Sequence, residues 1–82
     1  MRSAGKTKSD AEWLKNLGNH IHQLILEAGH KSSYDFVNQI AGDDISKSGL
    51  NFIINGESDP KATTLKALAK HLGVKPSELF NF

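Results

Sequence analysis

Eighty-two residues, 38% of them hydrophobic, suffice for one small core, do not fit a second domain and leave little room for a deep catalytic cleft. The absence of cysteine removes disulfide staples, thiolate zinc sites and cysteine nucleophiles together, and no apolar run nears the ~20 residues of a membrane span. The net charge of +1 hides an uneven distribution: residues 32–60 set Lys47 alone against Asp35, Asp43, Asp44, Glu57 and Asp59, while both flanks are basic.

Residues 1–8, rich in small and basic types, read as a flexible arm whose Arg2, Lys6 and Lys8 suit a polyanion, and residues 9–82 read as one domain. The arm holds no hydrophobic segment of a secretion signal, which points to the cytoplasm. Ser9 and Glu12 form an S-x-x-E capping box, in which each side chain satisfies an amide at a helix start. Behind it Trp13, Leu14, Leu17, Ile21, Leu24, Ile25 and Ala28 recur every three or four residues and form one apolar arc. Gly29 is the expected stop, and Gly18, within the helix, predicts a close neighbour.

Ser32 and Asp35 repeat the box, followed by Phe36, Val37, Ile40 and Ala41 as the apolar face of a short second helix. Gly42-Asp43-Asp44 is a turn by composition, and Ile45 is placed to plug the core. Ser46 is an N-cap for a third helix through Asn55, closed by Gly56. Asp59 then caps a fourth helix with Pro60 at its first position, Leu65, Leu68, Ala69 and Leu72 as its buried stripe and Gly73 as its end. Val74 tucks inward, and Pro76-Ser77-Glu78 opens a fifth short helix carrying Leu79 and Phe80. The fold class is therefore all-α, with five helices and no strand alternation.

Residues 32–55 have the layout of a helix-turn-helix, in which one helix braces across a nucleic-acid backbone and the next enters the major groove. On the third helix Leu50, Ile53 and Ile54 share one side, while Lys47, Ser48, Asn51, Phe52 and Asn55 fall on the opposite arc at 100° per residue. That outer arc has the chemistry to read bases. Asn pairs bidentately with adenine, Lys donates to guanine, Ser pairs with either, and Phe packs on the thymine methyl. Phosphate grip would come from Lys31, Lys47 and Lys61, from helix amino ends such as Ser46, and from the arm.

The order Ser46-Lys47-Ser48, Leu50, Gly56, Pro60 and then TLKALAKHLGVKPSELF resembles the lambda-repressor-like helix-turn-helix family over roughly residues 17–80. The resemblance implies operator binding, often by dimers and often to repress transcription. By position it implies base contacts from Lys47, Ser48 and Asn51, joined by Phe52 and Asn55. It also implies backbone contacts from Ser32, Ser33 and the loop near Lys61. The chain departs from the family pattern with Ser32-Ser33-Tyr34 at the start of the second helix, Ile54 on the third, and a longer turn at Gly42-Asp43-Asp44.

The expected partner is double-stranded DNA with a palindromic operator, read by a homodimer formed through the carboxyl end, where Leu79, Phe80 and Phe82 exceed what one short helix can cover. The two reading helices would then stand about 34 Å apart. The acidic middle and Phe52 favour the alternative, a protein-interaction module that keeps the fold without DNA. No membrane, small-molecule substrate, cofactor or metal is expected. His20 and His22 point to different helix faces, His30 and His71 have no ligand pattern, and no phosphate loop, H-E-x-x-H or G-x-S-x-G motif anchors an enzyme.

Overall fold

In the computed structural model, which describes residues 8–41 and 44–82 apart from the side chains of Ile40 and Ala41, a long helix α1 (Lys8–Glu27) carries the core. Leu14, Leu17, Ile21 and Ile25 are its buried stripe, with Gly18 among them. The expected arc is narrower than the periodicity allowed. Trp13 stays 46% exposed and Ala28 is exposed, because both stand at the margin of the stripe. Ser9 is helical, so it lies within α1 rather than capping it. The arm residues Arg2 and Lys6 fall outside the described residues.

The second segment starts as expected. The Ser32 hydroxyl accepts from the Asp35 amide at 3.1 Å, and the Asp35 carboxylate accepts in return from the Lys31 amide at 3.1 Å. The box is thus reciprocal, closing one residue further back than its usual form. Helix α2 (Ser33–Phe36) runs directly into a π turn (Val37–Ala41), a wider winding in which the chain takes up extra residues before the next element. Phe36 and Val37 are buried. Gly42 and Asp43 lie outside the described residues, and beyond them Ile45 is buried in the core, as its isolated apolar character indicated.

Helix α3 (Lys47–Ile54) is capped by the Ser46 hydroxyl, which accepts from the Gly49 amide at 3.0 Å, and ends at Asn55 with Gly56 at φ 75° behind it. Helix α4 (Ala62–Leu72) begins later than the Asp59-Pro60 pair indicated. Lys61 is its N-cap, with an extended backbone at φ −67° and ψ 152° and no side-chain cap bond, so Asp59 and Pro60 belong to the loop. Leu68 and Ala69 are buried, while Leu65 and Leu72 pack on the core from its edge. Gly73 ends the helix in the left-handed region. The fifth element, Pro76–Phe80, is a 3-10 turn rather than an α-helix, so there are four α-helices and no strand among the described residues.

The core joins Leu17, Ile21 and Ile25 of α1 to Phe36, Leu50, Leu68 and Leu79, all fully buried. Leu79 is therefore a core residue and presents nothing to a second subunit, which corrects its expected place on a dimer surface. A Cβ on Gly18 would come within 2.3 Å of the Ile54 carbonyl oxygen and 2.4 Å of that of Ile53. Glycine there lets the end of α3 rest directly on the α1 backbone. The Gly56 turn makes a second close approach, where a Cβ would meet the Lys15 side chain at 2.7 Å. Together these contacts fix the angle at which α3 leaves the core. Among the described residues no helix is long and apolar enough to cross a membrane.

Candidate nucleic-acid interface

Helix α3 is two-faced. Leu50 and Ile53 are buried against α1, and Lys47, Ser48, Asn51, Phe52 and Asn55 are all exposed. Phe52 leaves 52% of its surface open on this outer side. The face is rigidly backed, because the helix is capped by Ser46 and seated on Gly18 at its other end.

Beside it lies a shallow concavity of about 400 Å³ between the start of α2 and the start of α3, lined by Ser33, Tyr34, Lys47, Ser48 and Asn51. Here the fold brings together Lys47, Ser48 and Asn51, three expected base contacts, with Ser33, an expected backbone contact. Phe52 and Asn55 extend the same helix face beyond the concavity. Lys31 and Ser32 precede α2, with Lys31 exposed and the Ser32 hydroxyl already engaged in the cap. Ser46 and Lys61 line a separate groove between the starts of α3 and α4, together with Asp44, Asp59 and Thr64. The Ser46 hydroxyl is likewise occupied by its cap bond, so the expected backbone contacts are spread over two edges of α3.

Tyr34 is the residue of this site that the sequence did not single out. The Lys47 ammonium sits 3.9 Å from the centroid of its ring, within cation–π range. Hydrogen bonding to Lys47, then to Asn38, together with the charge of Lys47, holds the phenol below the usual tyrosine range. The only sequence signal was the position itself, an aromatic residue on the polar start of a helix.

Two carboxylates of the acidic middle are hydrogen-bonded by their own neighbours. Asp35 is used in the α2 cap, accepts from Gln39 at 2.7 Å and lies 3.9 Å from His30. Asp44 accepts a 2.6 Å hydrogen bond from His71 on α4. Two of the carboxylates that weigh against DNA are thus tied down beside α3 rather than on its outer face, and Asp43 lies outside the described residues. Three of the four histidines have such roles, since His20 donates to the Glu78 carbonyl at 2.8 Å and pins the final turn to α1. No group of three or more metal-ligating side chains converges among the described residues.

The Helix-turn-helix family profile matches residues 39–79, from inside the π turn through α3 and α4 to the final 3-10 turn. The chain belongs to the lambda-repressor/Cro-like helix-turn-helix family. This is a family of DNA-binding transcription regulators rather than of enzymes. No curated protein and no solved structure matches the chain. In helix-turn-helix docking generally, the first helix of the unit crosses the backbone and the second enters the groove. The matched span includes Ser46, Lys47, Ser48, Asn51, Phe52, Asn55 and Lys61, whereas Lys31, Ser32, Ser33 and Tyr34 precede it.

Proposed function

We propose that this helix-turn-helix protein is a repressor-type regulator that reads a specific operator through the major groove with α3. The observation that supports it best is the division of α3 into a buried inner face and an outer face of amide, hydroxyl, ammonium and phenyl groups. Ser48, Asn51, Phe52 and Asn55 would face base edges, with Asn51 suited to a bidentate contact with adenine and Phe52 to a thymine methyl. Lys47 stands at the leading end of that face. Lys31, Ser33 and Lys61, on the flanks, would hold the backbone and set the register. Ser32 and Ser46 would serve chiefly by capping the two helices.

A two-fold dimer is part of this reading. Phe80 and Phe82 pack around Trp13, with ring centroids 5.9 and 5.5 Å away, and all three remain about half exposed. This aromatic cluster, without Leu79, is the surface through which a second copy would pair and place two reading helices one DNA turn apart.

In vitro selection from a random duplex pool tests the reading. The expected outcome is enrichment of an inverted repeat with half-sites about ten base pairs apart, centre to centre. Enrichment of a single half-site would remove the dimer but keep the reader. A pool that stays random would remove sequence-specific recognition.

A further inference from the structure

Tyr34 leaves 59% of its surface exposed on the first turn of α2, and its ring contact is a charged side chain from the next helix. A lysine at the exposed start of a helix has a four-carbon stem and ordinarily sweeps a wide volume. Here its ammonium is held over the Tyr34 ring at 3.9 Å, and that draws Lys47 from α3 back toward α2. The restraint places the charge on the rim of the concavity, at the opposite end of the helix from Phe52 and Asn55.

The lining of that concavity fits an anion. Ser33, Tyr34 and Ser48 supply hydroxyls, Asn51 an amide and Lys47 the positive charge, and no carboxylate is among them. In helix-turn-helix docking the first helix crosses the sugar-phosphate backbone while the second meets base edges. An ammonium tethered toward the first helix therefore meets a phosphodiester before it meets a base. We propose that Tyr34 is a positioning residue that seats Lys47 against a DNA backbone phosphate, so that Lys47 supplies affinity and register while Ser48 and Asn51 choose bases. The proposal rests on the DNA-binding reading above.

The test compares the full chain with Lys47→Gln, Tyr34→Ala, Tyr34→Phe and the Tyr34→Ala/Lys47→Gln double variant. Two readouts are taken: affinity for a random-sequence duplex across a salt series, and the sequence enriched from a random duplex pool. Lys47→Gln is expected to lower the slope of log affinity against log salt by about 1 and to leave the enriched sequence unchanged. Tyr34→Ala should lower the same slope by a fraction of that amount and weaken binding to every duplex by one common factor. That loss should vanish in the Lys47→Gln background, since the tyrosine acts through the lysine. Tyr34→Phe keeps the ring and should restore the wild-type slope. A purely structural tyrosine would move neither the slope nor the coupling.

A changed base preference at one operator position in Lys47→Gln would overturn the assignment and make Lys47 a base reader. An unchanged slope in Lys47→Gln, or additive losses in the double variant, would overturn the seating alone. Failure of the wild-type chain to bind the random duplex at low salt would overturn the DNA-binding reading, and this inference with it.

Discussion

The two faces of α3 differ sharply, although buried and exposed residues are neighbours in sequence. Leu50 is fully buried, while Asn51 beside it is exposed at the edge of the concavity. The inner face is held to within van der Waals limits, where the Gly18 backbone meets the carbonyls of Ile53 and Ile54. Among the described residues the outer face is largely open, and Phe52 is the clearest sign of that. Rigidity on one side is what makes the other usable. A base contact demands placement to a few tenths of an ångström, which a short helix holds only if its back is fixed.

The largest expected break in this comparison is Leu50→Ala. It should destabilise the fold by about 2–5 kcal/mol, as truncations of fully buried leucines do, and chemical denaturation measures it. The adjacent Asn51→Ala should leave stability within about 0.5 kcal/mol. It should instead cost about 1–3 kcal/mol of discrimination at one base, read by binding to single-base operator variants. If both substitutions unfold the protein alike, the division between faces is wrong.

Gly18→Ala comes next. In an open helix the change gains up to about 1 kcal/mol. Here the new methyl meets backbone at 2.3 Å, and the helices must separate. A net loss of about 1–3 kcal/mol is expected in denaturant unfolding, as for an overpacked site. Ser46→Ala, which removes the cap of α3 without touching the core, should cost about 1 kcal/mol by the same measurement.

The smallest expected effect is spectroscopic. Tyr34 is the chain's single tyrosine, so its alkaline titration is read cleanly by near-ultraviolet difference absorption. It should ionise below the usual phenol value, and Lys47→Gln should move the transition back up. Because the folded state favours the phenolate, the linked stabilisation is fully present above the usual tyrosine value, declines below it, and is gone once pH has fallen through the folded one. Stability near neutral pH should therefore not change.

Local signals in the sequence were legible where the physics is local. Ser32 and Ser46 cap their helices as their spacing indicated, because a cap depends on an amide three residues away. The outer arc of α3 followed from helical geometry alone. Gly18 announced a neighbour, but only the fold could say that it is the end of α3. Distant partners were illegible. Trp13 belongs to the apolar periodicity of α1, yet it lies at the edge, where Phe80 stacks on it and Phe82 packs against it at a tilt. Leu79 read as surplus apolar surface and is core, because the final turn is pinned by His20 and inserts it between helices. The Asp59-Pro60 pair imitates a helix start, and the chain remains extended through Lys61 before winding. Tyr34 gained its role from Lys47 across a turn, and no spacing rule links those two positions.

The measurement that reaches the central claim most directly is an NMR titration of the amides with random-sequence duplex DNA at low and at moderate salt. The account predicts salt-sensitive shifts that concentrate at Lys47, Ser48 and Asn51 and extend to Ser33 and Tyr34, while Leu50 and the α1 stripe respond weakly. Silence across α3 at low salt, where phosphate attraction is strongest, would contradict it.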